Sequence, residues 1–160
     1  MASNNLSIKP GESRVAFSIK KLGFFTVKGN LSELNGTIRF DENDLSNSVF
    51  NITVRTSTID TNNEKRDEHL KNQDFFNVTK HPTISFVSTF VGQENGNYFA
   101  KGQLSILETT KEISIPFSFK AGVFEGHFSV NRLNYGLGKQ FPSFFVGKRV
   151  QISIVCKTVR

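Results

Sequence analysis

The sequence predicts an all-β protein in which about eight antiparallel strands follow one another in hairpin order, with one short helix inserted around residues 62–71. Three observations carry that expectation. Apolar and polar residues alternate with period two through most of the chain, the pattern of strands with one buried and one wet face. Turn-forming clusters separate those runs at Pro10-Gly11, Asp41–Asp44, Gly92–Gly96 and Ala121-Gly122. Only Ile59–Phe86 breaks the alternation with a helix signal, and it also holds the densest cluster of charges. An even number of such strands closes into an up-and-down barrel, which removes the edges, or stacks as a two-sheet sandwich; alternation alone admits both.

Residues 1–12 are polar and read as a loosely held, flexible terminus ahead of a single domain over 13–160. The first strand is Arg14–Lys20, with Val15, Phe17 and Ile19 on its buried face. In Leu22–Gly29 the adjacent Phe24 and Phe25 mark a bend that sets at least one ring against the interior, at a barrel mouth. A second strand ends in Gly36–Phe40, and the third, Ser48–Thr58, sets Phe50, Ile52 and Val54 against Asn51, Thr53 and Arg55. The fourth, Thr83–Val91, carries Ile84, Phe86 and Phe90 on one face, and the fifth, Tyr98–Leu107, presents Tyr98, Ala100, Gly102, Leu104 and Ile106.

In the sixth strand, Glu112–Lys120, the residues Ile113, Ile115, Phe117 and Phe119 oppose Glu112, Ser114, Ser118 and Lys120. Pro116 falls on the wet face and signals an edge or a bulge. Phe124, Gly126, Phe128 and Val130 repeat the pattern in the seventh strand, as do Val150, Ile152, Ile154 and Cys156 in the eighth, Arg149–Lys157. Between them, Gly136 and Gly138 lack the strand-then-helix context and the Lys-Ser/Thr of a phosphate loop, so they read as a bend.

The helix signal is local. Thr61 and Glu64 are spaced as a capping box, and Glu64, Asp67 and Glu68 balance Lys65, Arg66 and Lys71 on a solvated face. Leu70, Phe75 and Phe76 are the natural plug of this segment against a β core, and Pro82 returns the chain to extended geometry.

Composition narrows the function classes. A length of 160 residues suits one domain with a sizeable core. With 17 Phe against 2 Tyr and no Trp, the apolar set has few polar tips, which suits either an ordinary packed core or the lining of a dry interior. The single Cys156 excludes an intramolecular disulfide framework, and His69, His81 and His127 lack metal-ligand spacing, so no metal site is expected. A net charge of +6 is compatible with nucleic acid, anionic membranes or a phosphorylated ligand, without a dense basic run to choose among them. The start has no signal-peptide pattern, which reads as cytoplasmic as the sequence stands and periplasmic if it is a mature form; no apolar run is long enough to span a bilayer.

Several stretches match in order over Ser13–Thr158: Phe17-Ser18-Ile19-Lys20 with Leu22-Gly23-Phe24, Gly36–Asp41, Ile59–Asn62, Arg66–Leu70, Asp74–Phe76, Pro82–Phe86, and Asn131-Arg132 with Tyr135-Gly136. In them the chain resembles the YceI-like lipid- and polyisoprenoid-binding family. The resemblance implies an eight-stranded antiparallel, lipocalin-like barrel whose hydrophobic tunnel holds a long isoprenoid chain, in a carrier or storage role without chemistry on the ligand. The chain departs from that family's pattern at Glu108, where glycine is usual, at Lys148-Arg149, where an acidic pair is usual, and at His81, where tyrosine is usual.

The expected ligand is therefore a long apolar chain with a polar head, such as a polyprenyl diphosphate, an isoprenoid quinone or a fatty acyl chain; no other cofactor is expected. The inward faces nominate Phe17, Ile19, Ile52, Val54, Phe86, Leu104, Ile106, Phe117, Phe128 and Ile152 as lining, with Phe24, Phe25, Phe75, Phe76 and Phe144 near the ends. Asp60, Arg66, Asp67 and His69 are expected to clamp the inserted segment onto the barrel. An enzyme using Asp67, His69 and Arg66 on an apolar substrate is the alternative, although a carboxylate and an imidazole two residues apart on a helix point in different directions. Nucleic-acid binding is not expected, because the aromatics alternate inward and the basic residues scatter. Transient membrane contact and a homodimer are compatible with the same reading.

Overall fold

A computed structural model describes residues 5–160. Its strands are β1 (Asn5–Ile8), β2 (Arg14–Lys21), β3 (Phe25–Arg39), β4 (Val49–Asp60), β5 (Thr83–Glu94), β6 (Asn97–Ile106), β7 (Thr109–Lys120), β8 (Val123–Asn131) and β9 (Arg149–Val159), and its helix is α1 (Glu64–Lys71), between β4 and β5. Each strand from β2 to β9 pairs antiparallel with the next. β9 then returns to β2, with Val15 opposite Ile154 and Phe17 opposite Ile152. The period-two faces thus curl into a closed eight-stranded up-and-down barrel, and the sandwich is excluded.

Residues 5–12, expected as a loose terminus, are instead ordered into a strand and a 3-10 turn, Pro10–Glu12. β1 pairs with β3 through Asn5 and Leu6 and with β9 through Ser7 and Ile8. Those are also the two neighbours of β2, so β1 and β2 occupy one slot of the wall as a single strand interrupted at the Pro10 turn. Residues 1–4 of that segment lie outside the described residues.

Closing eight strands needs strong twist, and bulges supply it. The β3–β4 register shifts between Asn30 and Asn35, where the Thr58 hydroxyl accepts the Ser32 N–H at 2.8 Å and fills the gap in the ladder. Gly36 follows with φ +135°; a Cβ there would lie 1.9 Å from the Asn51 carbonyl oxygen, so only glycine fits. A second bulge lies between Ser88 and Phe90. It shifts the alternation of β5, so that Val91 is buried and Phe90, expected inward, is exposed. Pro116 stands where the β7–β8 ladder stops: pairing runs only from Phe117–Gly126 to Lys120–Val123, so the upper part of β7 is unpaired on that side and a residue without an N–H costs nothing there.

The helix starts two residues later than the capping box predicts. Asn63 is the N-cap and accepts the Arg66 N–H at 3.0 Å, and Thr61 has a different task, described below. After α1 the chain folds back, with the Phe76 N–H on the Leu70 carbonyl at 3.0 Å and the Val78 N–H on that of Lys71 at 3.0 Å.

One end of the barrel is filled. Phe40 packs against Phe50, Tyr98, Phe117, Phe119 and Phe124 with ring centroids between 5.1 and 6.1 Å, mostly edge to face. Tyr98 keeps its hydroxyl at the surface, donating to Glu42 at 2.7 Å, and that bond raises its pKa. This aromatic floor sits at the β5–β6 and β7–β8 hairpin end, opposite the end that carries α1 and the β8–β9 connection.

An apolar tunnel and its mouth

Above the floor the interior is hollow. A cavity of about 760 Å³ runs up the barrel, and its walls are apolar side chains from β2 to β9. Of the expected lining, Phe17, Ile19, Ile52, Val54, Phe86, Leu104, Ile106, Phe117, Phe128 and Ile152 all face it, as do Phe75 and Phe76 from the segment after α1. Phe24, Phe25 and Phe144 do not: they are 87%, 62% and 68% exposed. Periodicity says which face a residue takes but not where the wall ends. Phe25 shares its face with Val27 and Leu31, which line the cavity, but stands at the rim, while Phe24 caps a turn with Leu22 and Gly23 at positive φ. Beside Phe144, it is Phe145 that reaches the cavity. The walls also include residues left unnominated, among them Leu31, Leu34, Ile59, Ala100, Ile115 and Ile154; Ala100, Ile115 and Ile154 lie on inward faces that the alternation marks, whereas Leu34 and Ile59 turn inward only because the β3–β4 register shifts beside them.

The mouth is built by two connections. The first is the inserted segment. Thr61, buried at the end of β4, donates its N–H to Asp67 Oδ1 at 2.9 Å and its hydroxyl to the same oxygen at 2.6 Å. In turn the Thr61 hydroxyl accepts Arg66 Nε at 2.8 Å, and its carbonyl accepts Arg66 Nη2 at 2.8 Å. Asp60 bonds locally, accepting the Asn62 N–H at 2.9 Å on the outside of the barrel. His69 Nε2 lies 3.0 Å from Asp74 Oδ2, and its ring meets Phe75 and Phe141 edge on. Arg66 and His69 line the cavity; Asp60 and Asp67 do not. Asp67 is committed to Thr61 and His69 to Asp74, so Arg66, Asp67 and His69 form no shared acid–base relay.

The second connection, residues 132–148, is organised by Arg132, which sequence reasoning left without a role. It is 2% exposed and has no carboxylate partner among the described residues. Instead its guanidinium donates to five carbonyls: Nε to Gly147 at 2.9 Å, Nη1 to Leu137 at 3.0 Å and Gly138 at 2.7 Å, and Nη2 to Phe141 and Val146, both at 2.7 Å. All five donors of the planar fork are therefore used. Burial lowers its pKa from the usual arginine value by desolvating the charged form. The signal for it was a lone arginine directly after a strand and ahead of a glycine-rich loop, whose carbonyls have no ladder to bond.

The two connections meet through rings. Phe141 stacks on Phe75 with centroids 5.0 Å apart and planes at 11°. Gly138 admits that stack, since its φ is +62° and a Cβ there would fall 2.6 Å from the Phe75 ring. Lys20, Lys21, Arg66, His69 and Arg132 are the cationic or imidazole side chains along the lining, and no carboxylate is among them. Among the described residues no group of His, Cys, Asp and Glu is arranged to hold a metal ion, and no helix is long and apolar enough to cross a membrane.

A closed antiparallel barrel, floored by aromatics and hollow above, defines the class as a lipocalin-like β-barrel. The chain belongs to the YceI-like family, whose domain model matches residues 6–158. It is 37% identical over 101 residues to a UPF0312 protein of Pectobacterium atrosepticum, covering 63% of this chain and 53% of that protein. It is 35% identical over 101 residues to the YceI protein of Shigella flexneri, with the same coverage of 63% and 53%. The matches thus span about half the length of these curated relatives. Among solved structures, BcnA of Burkholderia cenocepacia superposes with a TM-score of 0.87 at 18% identity, over 96% of this chain and 99% of that one. A domain from Saccharophagus degradans described as polyisoprenoid-binding superposes with a TM-score of 0.70 at 10% identity, over 98% of each chain. At such identities the likeness is one of fold.

Proposed function

We propose that this protein binds a long-chain isoprenoid or similar amphipathic lipid in the tunnel, apolar chain inward and polar head at the mouth, and acts as a carrier or storage protein. The observation that supports it most is the apolar cavity of about 760 Å³, closed by the Phe40 cluster at one end. A methylene fills roughly the share of a water molecule, ~30 Å³, so the cavity holds a chain on the order of 25 carbons. Each methylene withdrawn from water contributes about 0.8 kcal/mol, so ten alone contribute about 8 kcal/mol before association costs. The mouth, with Lys20, Lys21 and Arg66 and no carboxylate along the lining, suits an anionic head such as a diphosphate, with an isoprenoid quinone as the neutral counterpart. Family membership and the polyisoprenoid-binding neighbour support the same class.

A binding protein also fits better than an enzyme, because the candidate trio of Arg66, Asp67 and His69 is spent on Thr61 and Asp74. The decisive experiment is organic extraction of the purified protein followed by mass spectrometry. A reproducible, stoichiometric isoprenoid or comparable lipid is expected. A barrel that yields none and does not take up polyprenyl phosphates or quinones from solution would overturn the proposal.

A further inference from the structure

Five of the large apolar side chains exposed at the mouth share one platform. Leu22, Phe24 and Phe25 stand on the β2–β3 hairpin, and Phe144 and Phe145 on the β8–β9 connection, with their rings 4.4 Å apart. The Leu22 N–H donates to the Phe145 carbonyl at 2.9 Å, the Gly147 N–H donates to the Lys20 carbonyl at 2.8 Å, and Lys21 bridges to Val146. Through Gly147 and Val146 the same backbone is held by Arg132. Two loops that could move apart are bonded into a single apolar surface, of the kind that marks an interaction site.

Charge identifies what the surface fits. The two connections that build it, residues 20–25 and 132–149, carry six of the chain's 20 Lys and Arg and none of its 14 Asp and Glu. Among the described residues Lys20, Lys21, Lys139 and Lys148 have no carboxylate within ion-pair distance, a state they share with Lys28, Lys65, Lys111 and Lys120 elsewhere on the barrel, whereas Lys9, Lys71, Lys80, Lys101 and Lys157 are paired. Exposed aromatics beside unpaired lysines match the interfacial layer of a bilayer: the rings enter among the upper acyl chains and the ammonium groups meet lipid phosphates.

We infer that the β2–β3 hairpin and the Phe144–Phe145 turn dock this barrel, mouth down, on a bilayer containing anionic lipid. Lys20, Lys21, Leu22, Phe145 and Val146 belong both to this platform and to the tunnel lining, so docking sets the opening against the membrane. The purpose of docking rests on the tunnel proposal; the docking itself does not.

The test is co-sedimentation of the intact protein with vesicles of phosphatidylcholine alone or mixed with phosphatidylglycerol. Binding is expected to be about tenfold or more tighter on the anionic vesicles and to weaken with salt. The double variant Phe24→Ser/Phe144→Ser is expected to lose binding at least about tenfold, and Lys20→Glu/Lys21→Glu to lose the preference for anionic lipid. Phe90→Ser, which removes another exposed ring, on β5 away from the platform, is the control and leaves binding unchanged. Circular dichroism confirms that each variant is folded. No binding to anionic vesicles, or equal binding by wild type and the Phe24→Ser/Phe144→Ser variant, would overturn the inference, and would leave an acidic protein surface as the partner of the platform. Lipid extraction from the same samples separates the two proposals: a barrel that docks but carries no lipid refutes the tunnel reading alone, and one that carries lipid but does not dock refutes the docking alone.

Discussion

Replacing Arg132 by methionine keeps most of the side-chain volume and removes every donor of the fork. Five carbonyls, those of Leu137, Gly138, Phe141, Val146 and Gly147, lose their partner at once. A buried polar group left unsatisfied costs about 1–3 kcal/mol. The five costs do not add in full, because the connection lies at the mouth where water reaches some of the carbonyls, and because the variant no longer carries the desolvation of a buried cation, the cause of the lowered Arg132 pKa. The expected loss is about 3–5 kcal/mol, the range for removing one side of a buried charged network. At about 2–4 °C per kcal/mol for a chain of this length, the melting midpoint falls by roughly 10 °C. Scanning calorimetry reads the midpoint, and amide hydrogen exchange reads the place: the Leu137 and Phe141 amides, which close the connection onto Arg132 and Gly138, exchange faster in the variant. A midpoint within about 2 °C of wild type together with unaltered exchange over 137–147 would refute the view that Arg132 organises the mouth.

Asp67→Asn weakens the bonds to Thr61 and is expected to cost about 1–2 kcal/mol in urea unfolding with lipid content unchanged; unchanged stability with loss of a catalytic turnover would instead favour the enzyme reading. Ala100→Phe places a ring into the tunnel from β6, so it should leave the melting midpoint nearly unchanged while shortening or abolishing the extracted ligand; full ligand content would show that the chain does not pass Ala100. Burial pushes the Cys156 thiol up to about 11 from an ordinary 9.0, so iodoacetamide at pH 8 should label it only after unfolding. Because the folded value is the raised one, the stability tied to the neutral thiol is complete below pH 9.0 and is lost as the pH rises towards about 11. Cys156→Ala should flatten that alkaline loss, and an equal loss in both proteins would assign it elsewhere.

Much of the barrel was legible because a wall residue needs only to know its face. Ile115 and Phe117, or Ile152 and Ile154, alternate cleanly, and the structure turns them inward. What alternation does not encode is where it slips or ends. The bulge at Ser88–Phe90 leaves no mark in composition, so Phe90 was read on the wrong side of β5. Phe24, Phe25 and Phe144 are expected near the ends of the lining, and the rim passes between them and Val27 or Phe145, leaving all three outside. β1 offers only Leu6 and Ile8 as inward residues, too few for a periodicity, and its place is set by the gap that β2 leaves between β3 and β9. In the inserted segment the right residues were singled out with a different wiring: Thr61 is the object gripped by Arg66 and Asp67, and Asn63 is the cap. Arg132 lies furthest from sequence reasoning, since its partners are backbone carbonyls that every residue type supplies.

The Phe40 floor makes the tunnel a tube with one door. A chain that enters must leave by retracing its path, so the end that goes in first comes out last. On the tunnel proposal, the depth between the Phe50, Phe117 and Phe124 rings and the Phe75–Phe141 stack would act as a ruler: a shorter tail would leave empty volume above the floor, and a longer one would fold back or trail outside. Substituting Phe117 or Phe124, the floor rings that line the cavity, would change the length preferred without touching the door.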